Sequence, residues 1–227
     1  MSALLALMRL ASPALPVGGF SYSEGLEPAV DAGRVHDEAS AGAWLLDQLR
    51  LGQQRAELPL VAAAFEAWQA GDGARIAALN DWALQTRETC ELRLQAEQMG
   101  RSLADWLRQR RPDDPRVAAL RALGPAPAWP IAFALAGVHS GAPLDEVLLC
   151  SGFAWAENMV QAALKAVPLG QSAGQRLLDA LSAALPDTVA AARAIAPSGD
   201  AGRQSFTPML AVLSARHEAQ YSRLFRS

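Results

Sequence analysis

Between Arg87 and Arg110 the residues Leu92, Ala96, Met99, Leu103, Trp106 and Arg110 recur at steps of four and three. That spacing keeps one face of an α-helix continuous, whereas a half-buried strand would alternate every second residue. The opposite face alternates in sign. Arg93 with Glu97, Glu97 with Arg101, and Arg101 with Asp105 stand four apart, and each pair contributes only a few tenths of a kcal/mol, as on a solvated helix surface. Elsewhere alanine, leucine, arginine, glutamate and glutamine dominate and β-branched residues are scarce, so helix is favoured at most positions and no strand is predicted.

Stop signals cut this helical chain into lengths of one to two dozen residues. They fall at Gly33, at Gly71 and Gly73, from Pro112 to Pro115, from Pro125 to Pro130, from Gly141 to Pro143, and from Pro168 to Gly170. Asp37 and Asp72 read as helix starts, and Thr207 before Pro208 reads as an N-cap with proline in the first helical position. The expected fold is all-α, a single compact bundle of roughly nine or ten helices. One domain spans residues 1–227, with 216–227 as a C-terminal tail. The small, polar stretch APSGDAGRQ, 196–204, is expected to be a mobile loop.

A chain of 227 residues, 51% hydrophobic and 19% charged, has enough apolar material for a core without staples. Cys90 and Cys150 lie too far apart for a zinc-ligand pair and are too few for a disulfide scaffold, which fits a reduced, cytoplasmic protein. A net charge of −3 gives no broad positive field for nucleic acid. The opening MSALLALMRLASPALP lacks a basic leading segment and carries Arg9 within its apolar stretch. It is better read as a first helix packing Leu4, Leu7 and Met8 than as a secretion signal. No stretch of roughly 18 uninterrupted apolar residues predicts a membrane span.

Catalytic signatures are missing. There is no GxxxxGK[ST] phosphate loop, no GxSxG elbow and no HExxH pair. His36, His139 and His217 each lack a second ligand at metal-binding spacing, so a metal site would have to be assembled in space.

Three segments exceed what a simple bundle requires. In LPVGGFSYSEGLE, 15–27, Pro16 fixes one torsion while Gly18 and Gly19 permit backbone angles that a β-carbon resists, which predicts a sharp turn. Ser21 and Glu24 have capping-box spacing. Phe20 and Tyr22 beside that turn read equally as a partner surface or as core. In KAVPLGQSAGQ, 165–175, Pro168 and Gly170 separate two helices, and Ser172 with Gln175 forms a second capping-box pattern. Lys165 is the only lysine; an activated amine is one reading, and a stem packed on the bundle with its ammonium in water is the simpler one. In SARHEAQYSRLFRS, 214–227, Tyr221, Leu224 and Phe225 interleave with arginines. From Arg203 onward four arginines face one acid, Glu218. Aromatic and arginine side chains are the usual anchors of interfaces, while the alternative is a helix that simply continues.

Taken together, LPVGGFSYSEGLE, the RETCELR run at 87–93, VPLGQ at 167–171 and RHEAQYSRLFRS at 216–227 resemble the UreF family of urease accessory proteins, in order along the whole chain. Where the family tolerates tyrosine this sequence has Phe20. The resemblance implies a non-enzymatic, dimeric, all-α protein that bridges a UreD/UreH-type accessory protein and a UreG-type GTPase on apo-urease. It would couple the nucleotide state of the GTPase to nickel delivery by binding its two states differently. Nickel would pass transiently, GTP would be bound by the partner alone, and no cofactor would be held tightly. The expected partner-binding residues are Phe20, Tyr22, Arg216, His217, Glu218, Tyr221, Arg223, Leu224, Phe225 and Arg226. Pro16, Gly18, Gly19, Pro168 and Gly170 are the expected structural turns. The rival readings are an enzyme using Lys165 or a histidine, and a helical adaptor unrelated to nickel.

Overall fold

A computed structural model describes residues 2–227, and among them no strand occurs. The helices are α1 (Ala3–Ala11), α2 (Leu26–Asp31), α3 (Glu38–Gln48), α4 (Leu58–Ala70), α5 (Gly73–Gln85), α6 (Cys90–Arg110), α7 (Pro115–Arg121), α8 (Trp129–Ser140), α9 (Leu144–Ala166), α10 (Gln171–Ile195) and α11 (Pro208–Glu218). A π-helical stretch, Leu49–Glu57, joins α3 to α4 end to end. The two form one rod.

The most apolar helix is the centre. In α8 every residue from Pro130 to Gly137 is buried, so the helix has no solvent face and is enclosed by α4, α6 and their neighbours. Trp68 of α4 donates its indole N–H to the carbonyl of Ile131 at 3.1 Å. Buried Asn80 of α5 donates to the carbonyl of Ala126 (2.9 Å) and accepts from the amide of Ala128 (2.7 Å), fixing the loop that feeds α8. Gly100 permits α6 to touch this loop: a β-carbon there would stand 2.0 Å from the Pro127 carbonyl oxygen. A second cluster gathers Leu26, Leu45, Leu49, Met159, Leu181, Leu213 and Phe225 between α2, α3, α9, α10 and α11. By length and apolarity α9 qualifies as a possible span, but much of it is buried within these two clusters.

Asp37 and Asp72 cap α3 and α5 with their side chains, and Gly71 and Gly141 end α4 and α8 in the left-handed region. Thr207 precedes α11 as expected, but its amide and hydroxyl donate to Glu88. Neither capping box forms. Gly25 and Gly170 occupy the N-cap positions of α2 and α10 with no side-chain cap, because Glu24 is engaged elsewhere and Ser172 already lies inside α10. In α1 the buried residues are Leu7 and Leu10, while Leu4 and Met8 face outward. The stretch 196–204 is pinned rather than free. Arg203 is buried with its guanidinium 4.7 Å from the Trp82 ring and paired with Asp200, and the amide of Gln204 donates to the carbonyl of Arg55.

Candidate functional site

After α11 the chain leaves the helix, and residues 219–227 double back as a strap across α2 and the start of α6. Its attachment is mainly to Glu27, a carboxylate in the first turn of α2 that is 4% exposed. Oε1 accepts the amide of Leu224 at 2.8 Å and Oε2 accepts the amide of Phe225 at 2.9 Å. Two charge-assisted bonds to one buried carboxylate fix the strap backbone in register. Further along, the amide of Arg226 donates to the carbonyl of Ser21, and both the amide and the hydroxyl of Ser23 donate to the Ser227 backbone oxygen. The Ser227 hydroxyl donates to Gln95 at 2.8 Å. The Phe225 ring enters the second core cluster.

Glu91, in the first turn of α6, is the second anchor. Arg223 donates to it at 2.5 Å and also to the carbonyls of Gln220 and Glu218. Between Glu27 and Glu91 lies His217, wholly buried, with one ring nitrogen toward each carboxylate. Lys165, at the end of α9, stands 5.8 Å from the Phe20 ring and 5.7 Å from the Phe225 ring, a cation over two aromatic faces. Segments far apart in sequence thus converge: 18–27 supplies Ser21, Ser23 and Glu27, 87–93 supplies Glu91, and the tail supplies the strap.

The ten expected partner-binding residues divide by position. Tyr22, His217 and Phe225 are buried, with the Tyr22 hydroxyl donating to Gln98, so these three are not presented outward. Burial also raises the Tyr22 phenol above its ordinary range, against the influence of nearby Arg226. Phe20, Arg216, Glu218, Tyr221, Arg223, Leu224 and Arg226 are exposed, Tyr221 at 105% and Leu224 at 70%. Of the expected turn residues, Gly18 adopts φ +73° and Gly19 does not enter the left-handed region. Gly170 has φ −83°, open to any residue, and Pro168 lies in the connection between α9 and α10. Gly25, at φ +78°, went unnoticed in the sequence, as did the anchoring carboxylates Glu27 and Glu91.

Beneath this site a cavity of ≈ 190 Å³ runs along the π-helical stretch, with Gln53, Glu24, Arg87, Met99 and Trp155 in its wall. Glu24, at φ 48°, accepts from the Gln95 amide (2.7 Å) and the Trp155 indole (2.9 Å). Burial pushes its carboxyl above the ordinary glutamate range and outweighs those two bonds. Arg87 is paired with Glu57 at 2.6 Å; burial works against its charge, but Glu57 and the neighbouring carboxylates together hold it protonated. Among the described residues no group of three or more His, Cys, Asp and Glu side chains is placed to hold a metal ion.

The fold and the site define an all-helical protein whose distinctive residues build and support a surface strap. The profile of the UreF family matches residues 35–182. A urease accessory protein UreF from Methylibium petroleiphilum is 67% identical over 225 residues, covering 99% of this chain and 94% of the relative. One from Paracidovorax citrulli is 61% identical over 230 residues, covering 100% and 90%. A bifunctional urease accessory protein UreEF from Bordetella bronchiseptica is 50% identical over 225 residues, covering 99% of this chain and 52% of that protein. The chain belongs to the UreF family of urease accessory proteins.

Proposed function

We propose that this chain is the bridging member of a urease-maturation complex: it joins a UreD/UreH-type protein to a UreG-type GTPase on apo-urease and so promotes delivery of nickel. It acts in the cytoplasm, as a dimer, without catalysis of its own. Nickel is cargo, and GTP belongs to the GTPase. The observation that carries this reading is the outer face of the strap, where Tyr221, Leu224 and Arg226 stand exposed on a backbone bonded to Glu27, Ser21 and Ser23. Aromatic, aliphatic and arginine side chains on a pre-ordered backbone lose little entropy on binding. The fused UreEF relative supports action in company with other accessory functions.

Truncation of 216–227 would remove His217 and Phe225 together with the surface, so the test is a surface variant. Tagged protein carrying Tyr221→Ala and Leu224→Ala is recovered from cells holding the whole urease system and compared with the unaltered chain. Loss of the GTPase and of urease activation, with an unchanged thermal midpoint, is the expected result. Recovery of the GTPase and full activation by the variant would refute it.

A further inference from the structure

Both ring nitrogens of His217 face carboxylates. Nδ1 lies 2.6 Å from Glu91 Oε2 and Nε2 lies 3.2 Å from Glu27 Oε2. A neutral imidazole offers one N–H and one lone pair, so it satisfies only one of these oxygens and turns a lone pair toward the other. Two hydrogen bonds need two protons. The cluster therefore holds one proton beyond a neutral ring and two carboxylates, with an N–H on each ring nitrogen donating to the oxygen it faces. With it, the imidazolium and Arg223 balance Glu27 and Glu91. Without it, a net negative charge is left where the histidine is fully buried, which is costly.

The surrounding charges are few. On α2, Asp31 accepts from Gln220 at 2.7 Å, the same amide that approaches Glu27. Just before α6, Glu88 is taken by Thr207. On α11, the Glu218 carboxylate accepts the amide of Glu91 while the Ser214 hydroxyl meets Thr89. From the strap, Arg223 reaches Glu91, and Arg226 is exposed.

We propose that the proton held by His217 latches the strap, and that its loss frees residues 219–227 from α2 and α6. Glu27 Oε2, which Nε2 would then oppose with a lone pair, is the oxygen that accepts the Phe225 amide. The strap yields first because its residues 221–224 and 226 are exposed, whereas α2 is buried from Leu26 to Ala29. The closed state binds one proton more than the open state, so closure is favoured at lower pH and weakens as pH rises. Where the open ring is neutral and the closed cluster protonated, the change is tenfold per pH unit. This latch goes beyond the bridging reading and does not depend on it, since it is read on the strap itself.

The full chain, labelled with ¹⁵N, tests it directly. Ring-nitrogen resonances report the protonation of His217, and exchange of the Leu224 and Phe225 amides, corrected for the intrinsic pH dependence, reports strap closure. Expected are two ring protons while the strap is closed and, as pH is raised, loss of amide protection by about tenfold per pH unit over the interval in which the ring gives up one of them. His217→Gln is expected to lower protection and to abolish its pH dependence. Should that variant not fold, the unaltered protein still decides the matter. A singly protonated ring in the closed strap, protection that stays flat while the ring loses a proton, or a ring that keeps both protons until the whole protein unfolds would each overturn the latch. Recovery of the GTPase by the surface variant would refute the bridging reading and leave the latch untouched, so the two proposals fail separately.

Discussion

Arg223 reaches from the strap to Glu91 of α6, its Nη1 2.5 Å from Oε1, while its Nε and Nη2 donate at 3.0 Å to the carbonyls of Gln220 and Glu218. One planar fork ties the strap to a helix and braces its own turn.

Replacing this arginine is therefore expected to loosen the strap before it affects the core. The side chain is 37% exposed, so solvent screening limits the loss on Arg223→Ala to about 1 kcal/mol. Arg223→Lys should recover only part of it, because an ammonium cannot serve three acceptors set in a plane. Amide exchange over 219–227 is the measurement, with the thermal midpoint of the whole protein nearly unchanged.

Gly100 and Gly73 both lie in helices but should respond oppositely to alanine. A β-carbon at Gly100 meets Pro127 O at 2.0 Å, and backbone cannot yield as a side-chain tip can, so a loss of about 3 kcal/mol or more is expected. Gly73 opens α5 with nothing within 4 Å, and alanine there is expected to stabilise by roughly 0.5 kcal/mol through the unfolded chain. Denaturant unfolding of the two variants checks the sign of each.

The turn at 18–19 divides in the same way. Gly18 has open space around it but a φ of +73°, so Gly18→Ala should cost about 1 kcal/mol. A β-carbon at Gly19 would lie 3.4 Å from Asn158 Oδ1, so Gly19→Ala is expected to have the smaller effect. Equal losses in thermal unfolding would contradict the assignment of strain to Gly18 alone.

Glu24 should leave a signature in the pH dependence of stability. Burial raises its carboxyl above 4.5, so the folded chain holds this proton more tightly than the unfolded chain does. Its contribution is present in full below the ordinary glutamate value and is lost as pH rises through the folded value. Glu24→Gln removes the titration. The stability of the variant relative to the unaltered chain is expected to rise as pH climbs from about 4.5 toward neutrality, followed by urea titration at several pH values.

Much of the helical framework was legible because its signals are local. The steps of four and three through Leu92, Ala96 and Leu103 repeat for long enough to fix a helix, and Asp37, Asp72 and Gly71 mark ends through chemistry within a turn or so. The site was not legible in the same way. Glu27 and Glu91 fall inside the segments that mark the family, yet their role depends on a histidine some 190 and 126 residues further along the chain. Glu24 matched a capping pattern, but Gln95 and Trp155, distant in sequence, claim its oxygens. The stretch 196–204 looked free because a single arginine stacked on Trp82 is invisible in composition.

The span of the Glu27 contacts has a consequence for how the chain is made. The Leu224 and Phe225 amides lie 197 and 198 positions beyond this carboxylate, and the Ser23 bond to Ser227 crosses 204. On the ribosome, where synthesis proceeds at roughly 5–20 residues per second, α2 is complete many seconds before its strap emerges. During that time Glu27 has no amides to hold and the second core lacks Phe225. The strap therefore closes over helices made well before it, and the second core is completed only when Phe225 arrives.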